Sequence, residues 1–138
     1  MFKTTSLGIV EAQKAKAAIL SALTSSDNPG ALAITDAHGI EILCARQDGA
    51  PARMLGRARA KAYTAARIGL DTVVFRDLVV KARKRTLDDW GDPKLTTLQG
   101  GLVIKFDGKI IGGIAMSGNS TIRDEALARI GLEAMGVN

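Results

Sequence analysis

Arg46, Asp48 and Lys61 are the residues of this chain best suited to hold a small charged molecule. Arg46 and Asp48 follow an apolar run. Lys61 falls about two turns into the next helical stretch, with Thr64 one turn on, on a face shared with Arg53 and Arg57. Arginine offers a carboxylate a planar fork, and lysine offers a point charge. An Arg and a Lys beside a strand end therefore fit a carboxylate or a propionate. The same residues also read as internal links, an Arg46–Asp48 pair or a loop tether to Lys61, and their types alone leave both readings open.

Two small-residue stretches add to this set. Gly100-Gly101 and Ser117-Gly118-Asn119-Ser120 can present backbone N–H groups to an anion near a helix start, or simply turn the chain. Neither matches a phosphate loop or a dinucleotide fingerprint. His38 is the only histidine, and it is the one candidate haem ligand; its setting in Asp36-Ala37-His38-Gly39 reads first as a turn. One histidine and one cysteine cannot close a tetrahedral zinc shell, so no metal site is expected. Cys44 lies in an apolar strand and reads as a small buried hydrophobe. Asp124 reads as a helix-start residue rather than a general base.

The elements that must position these residues are two hairpins among helices. An Ala-rich helix over 6–23 has a stripe of Val10, Ala15, Ile19, Ala22 and Leu23, and Asn28-Pro29-Gly30 stops it. Residues 31–35 and 40–45 form the first hairpin. A long helix over 52–68 follows, with a small-residue face of Leu55, Ala58, Ala62 and Ala65. Residues 72–84 suit a helix, and Thr86–Leu98 is irregular. The second hairpin pairs 102–106 with 109–116 through Asp107-Gly108. Gly112-Gly113 marks a bulge or a close backbone approach. The last helix runs over 121–135, with Thr121 and Asp124 resembling a capping box. The order α, ββ, α, α, ββ, α predicts an α+β fold. It is a layered α/β/α arrangement with a central antiparallel sheet built from two hairpins and covered by about four helices.

Bulk properties bound the function. The 138 residues form a single expected domain, 1–138, with 46% hydrophobic and 24% charged residues. No apolar run reaches membrane-spanning length, and no signal-peptide layout opens the chain. A lone cysteine allows no intrachain disulfide, which fits a cytoplasmic protein. The net charge of +5 includes a basic stretch from Lys81 to Arg85, but aromatics are only 4%, which leaves few platforms for nucleic-acid bases.

A series of short motifs resembles the GlcG/HbpS-like, or haem-degrading-domain, family, which includes the PduO C-terminal domain. The motifs are Ile34-Thr35-Asp36-Ala37-His38-Gly39, Arg46-Gln47-Asp48-Gly49-Ala50, Lys61-Ala62-Tyr63-Thr64-Ala65, Gly100-Gly101-Leu102-Val103-Ile104, Gly113-Ile114-Ala115-Met116-Ser117-Gly118 and Asp124-Glu125. They run through nearly the whole chain in the family's order. Gln47 stands where the family usually has Met, and Val103 where it usually has Pro. The resemblance implies a five-stranded antiparallel sheet between helices, association into dimers or larger assemblies, and, in some members, binding of haem or a corrinoid.

The resulting expectation is a small-molecule-binding accessory protein of a catabolic pathway. Its ligand is anionic, haem or a small organic acid, and meets Arg46, Asp48, Lys61, Thr64, Gly100, Gly101, Ser117 and Gly118. The alternative is a cofactor-independent isomerase, lyase or hydrolase with Lys61 or Asp48 in proton transfer. Both require Arg46 and Lys61 to converge on one hollow.

Overall fold

The computed structural model describes residues 1–137. The elements are α1 (Ile9–Ala22), β1 (Ala31–Asp36), β2 (Glu41–Arg46), α2 (Arg53–Ile68), α3 (Thr72–Val74), β3 (Gly101–Phe106), β4 (Lys109–Ser117) and α4 (Thr121–Ala134). α3 continues as a π-helical stretch, Phe75–Lys81, and a 3-10 turn spans Leu87–Trp90. The α+β reading holds: helices cover an antiparallel sheet of order β2-β1-β4-β3. The sheet has four strands among the described residues, not the five implied by the family resemblance.

The two sheet faces differ in side-chain size. Leu32, Ile34, Leu102, Ile104, Ile114 and Met116 pack with Ala15 and Ile19 of α1 and with Leu127 and Ala128 of α4. On the opposite face Ala31, Ala33 and Ala115 meet Met54, Ala58 and Ala62 of α2. Period-2 alternation along each strand produces this split. Large aliphatics fill the space under two helices, and small residues let one helix come very close. Gly113 sets that approach: a Cβ there would lie 2.2 Å from the Ala62 carbonyl oxygen. The Gly112-Gly113 pair is thus the close approach that its place in a strand predicted, and a register shift lies directly beside it, where β4 carries the extra residue Ile111 opposite Ile104 and Lys105 of β3.

Local chemistry corrects some expectations. The α1 stripe is Ala12, Ala15 and Ile19, while Val10 is 59% exposed. Its first turn is closed by Gly8 N–H, which donates to the Glu11 carboxylate at 3.2 Å. Ser120, not Thr121, caps α4: its hydroxyl accepts from Arg123 N–H at 3.1 Å. Regular structure after α3 ends at Lys81 rather than residue 84. Trp90 fixes the irregular stretch by meeting Phe75 edge-on, with ring centroids 5.1 Å apart.

Arg123 also ties α4 to the loop after α1 through two bonds of 2.9 Å to Asp27. The Arg123 guanidinium, then the Thr24 N–H, hold the Asp27 carboxyl well below its usual range. A depressed carboxylate stabilises the fold above its unfolded value of about 3.9, and this is lost as pH falls through the folded value. Arg123→Gln should therefore lower the urea midpoint at neutral pH. The gap from the parent protein should shrink steadily as pH drops below about 4. A gap unchanged by acid would show that the pair contributes nothing of this kind.

Candidate functional site

Lys61 is fully buried. It leaves α2 on the small-residue face and reaches the end of β4. Its ammonium donates to the Met116 carbonyl at 2.9 Å and to Asp124 Oδ2 at 3.3 Å. Asp124 is 1% exposed, and its other oxygen accepts from Asn119 N–H at 3.0 Å. Burial pulls Lys61 below the usual lysine range, against the attraction of Asp124. Burial likewise pushes Asp124 upward, against the Asn119 N–H and Lys61. Each group offsets much of the other's desolvation.

The glycine pair makes room for this link. Gly100 has φ +130°, and a Cβ there would lie 2.8 Å from Lys61 Nζ; a Cβ on Gly101 would lie 2.4 Å from the Lys61 carbonyl oxygen. Thr64 extends the junction, since its hydroxyl donates to the Ala60 carbonyl at 2.8 Å and accepts from Thr96 N–H at 2.9 Å. Ser117 is buried with its hydroxyl 3.6 Å from Met54 Sδ, and Gly118 abuts Gly30. The Ser117–Ser120 loop does receive an anion, but it is the chain's own Asp124.

Arg46 and Asp48 lie elsewhere. They line a cavity of about 440 Å³ with Lys16 and Leu20 of α1, over Leu32 and Met116. Gln47 fixes their loop: Gly30 N–H donates to Gln47 Oε1 at 2.8 Å, and Gln47 N–H donates to the Gly30 carbonyl at 2.8 Å. Arg46 also donates to the Ala50 carbonyl at 3.3 Å. Neither Arg46 nor Lys16 has a carboxylate within 4.0 Å among the described residues.

The expected convergence of Arg46 and Lys61 on one hollow does not occur. α2 carries Lys61 on one face of the sheet, and the Arg46 cavity opens beside α1 on the other. Lys61 and Thr64 were also expected on a polar helix face with Arg53 and Arg57, yet they are buried while both arginines are exposed. The two regions still meet at one residue: the Met116 carbonyl is held by Lys61, and the Met116 side chain lines the cavity. His38 is exposed in the β1–β2 turn, at the opposite end of six-residue β2 from Arg46, about 20 Å along the strand.

Sequence reasoning missed Lys16 and the partner of Lys61. Lys16 reads as an outward residue of α1, although it adjoins Ala15 at the edge of the buried stripe. Asp124 lies 63 positions from Lys61 and carries no local sign of the pairing.

The fold is an antiparallel sheet between helices, with a glycine-bounded lysine junction at one end. The chain belongs to the HbpS-like family: the family model described as "Haem degrading protein HbpS-like" matches residues 7–133. The chain is 32% identical to the corrinoid adenosyltransferase PduO of Salmonella typhimurium over 110 residues, 79% of this chain and 33% of that protein. It thus spans about a third of the length of this curated relative. A double mutant of HbpS from Streptomyces reticuli superposes with a TM-score of 0.85 at 28% identity, covering 96% of this chain and 89% of the other. A PduOC:haem complex also superposes at 0.85, with 27% identity, covering 97% and 98%. No helix among the described residues is long and apolar enough to cross a membrane.

Proposed function

We propose that this protein binds a small anionic ligand in the Arg46 cavity, as a cytoplasmic accessory protein of a catabolic pathway. The observation that carries the reading is the pairing of two cations without carboxylate partners, Arg46 and Lys16, with an apolar floor of Leu20, Leu32 and Met116. The volume lies within the usual range for small-molecule sites. Haem is the leading example. Arg46 and Lys16 would take its propionates, and the floor would face the macrocycle. The haem complex of the PduOC relative supports the choice. No imidazole or thiolate lines the cavity, so the chain would hold the porphyrin by its edge and face.

Asp48 sits at the rim and sets orientation by repelling a misplaced carboxylate. Lys61, Thr64, Gly100, Gly101, Ser117 and Gly118 act from behind the wall, by fixing the end of β4 and hence Met116. For the proton-transfer alternative, Lys61 lines no described cavity, which leaves Asp48 as its one candidate group at the Arg46 cavity. Self-association belongs to the reading: β2 is a sheet edge, and Ile40 beside it is 65% exposed.

Visible-absorption titration with haem tests the assignment. Losing a charge-assisted contact is worth about 1.5–3 kcal/mol, so Arg46→Ala should weaken haem about tenfold or more. Arg85→Ala, in the remote basic stretch, should leave the affinity unchanged. Equal losses in both variants would reduce the binding to nonspecific charge, and no loss in Arg46→Ala would remove the site.

A further inference from the structure

α2 contains a glycine for which its own packing offers no reason. Gly56 lies inside the helix, where glycine is a poor helix former, yet a Cβ there would meet nothing within 4 Å. It borders a hollow of about 520 Å³, separate from the Arg46 cavity, between α2, the first hairpin and the loop at Pro93–Leu95. Gly56 and Ala60 leave a stretch of helix surface without bulky side chains. Tyr63 stands beside it with its hydroxyl donating to Asp92 at 2.7 Å and with the Arg67 guanidinium 5.4 Å from its ring centroid. Leu95 is buried at the wall.

Charge narrows the occupant. Arg59 is neutralised by its ion pair with Glu41. Lys94 has its ammonium 5.6 Å from the Tyr63 ring centroid, with no carboxylate within 4.0 Å among the described residues. The hollow therefore offers one positive charge with no carboxylate in contact, beside a flat apolar floor and an aromatic ring. A dianion or a cation would leave a charge unmatched, and a polar sugar would waste the floor.

We propose that this hollow is a second small-molecule site, for a compact aromatic monocarboxylate. Its carboxylate pairs with Lys94, and its ring lies over Gly56 and Ala60 against Tyr63. A side chain at position 56 would occupy the ring's place, which accounts for the glycine.

Amide NMR titration of the full chain with benzoate, and with benzamide as its neutral counterpart, tests this. Benzoate should give saturable shifts at Gly56, Ala60 and Lys94, with benzamide about tenfold weaker or more. A charged hydrogen bond is worth about that factor, so Lys94→Gln should weaken benzoate about tenfold. Gly56→Leu should abolish the shifts. Should that variant not fold, the exposed Lys94→Gln decides alone. Arg46→Ala should leave benzoate binding at Gly56 intact, which keeps this site distinct from the haem reading. Equal binding of benzamide, indifference to Lys94→Gln, shifts confined to the Arg46 cavity, or no saturable shift would each overturn the proposal.

Discussion

Lys61→Ala should destabilise the protein by about 3–5 kcal/mol, the typical loss when one partner of a buried ion pair is removed. The magnitude follows from what is left behind. Asp124, 1% exposed, would keep backbone N–H groups of the Gly118–Asn119 stretch but no countercharge, and the Met116 carbonyl would lose its donor. An orphaned buried acceptor alone costs about 1–3 kcal/mol. An emptied lysine volume beside Gly100 adds a cavity, because glycine has no side chain to collapse into it. Against a total stability of about 5–15 kcal/mol this is a large fraction. Urea unfolding at neutral pH measures it. The double variant Lys61→Met, Asp124→Leu should recover most of the loss, since apolar replacement of a whole buried pair is often neutral. It should not recover everything, because Asn119 N–H and the Met116 carbonyl stay unpartnered. A Lys61→Ala loss below about 1 kcal/mol, the scale of an exposed pair, would contradict the burial described here.

Gly113→Val should cost at the upper end of the roughly 1–3 kcal/mol typical of overpacking, or more. The first added carbon would already sit 2.2 Å from the Ala62 carbonyl oxygen and 3.0 Å from Ala66 N. Both are helix backbone, which cannot rotate aside as a flexible side chain can. α2 would have to lift from β4, which would loosen its contacts with Ala33 and Ala115. Gly56→Ala is the internal control. It lies on the same helix but faces open space, so it should stabilise by about 0.5–1 kcal/mol through helix propensity. Thermal unfolding of the two variants should move in opposite directions. A tolerated Gly113→Val would mean that α2 does not approach the sheet as closely as described.

The hairpins were legible because the turn residues Asp36 to Gly39 and Asp107-Gly108, and the apolar runs that flank them, act over a few positions. β1, β2, β3 and β4 fall within a residue or two of their expected bounds. The close approach at Gly112-Gly113 was legible for the same local reason. The role of Lys61 was not. A lysine at helical spacing with Arg53 and Arg57 reads as part of a polar face open to a ligand, and nothing nearby shows that Asp124, 63 residues away, will fold over it. Burial of a charge is decided by tertiary packing, and local pattern registers only the helix that carries it. Arg46 and Asp48 were found by type, but their neighbour Lys16 was not, because a long amphipathic side chain at a stripe edge can turn either way. The choice of Ser120 over Thr121 as cap is a one-residue shift of the kind that only backbone geometry resolves.

Paramagnetic broadening of backbone amides by bound haem tests most directly whether the ligand sits between α1 and the end of β2. The amides of Lys16, Gly30, Gln47 and Asp48 should broaden first, with those of His38 and Gly56 unaffected at equimolar haem. Broadening centred on the turn around His38, or on the Lys61–Gly100 junction, would contradict the assignment.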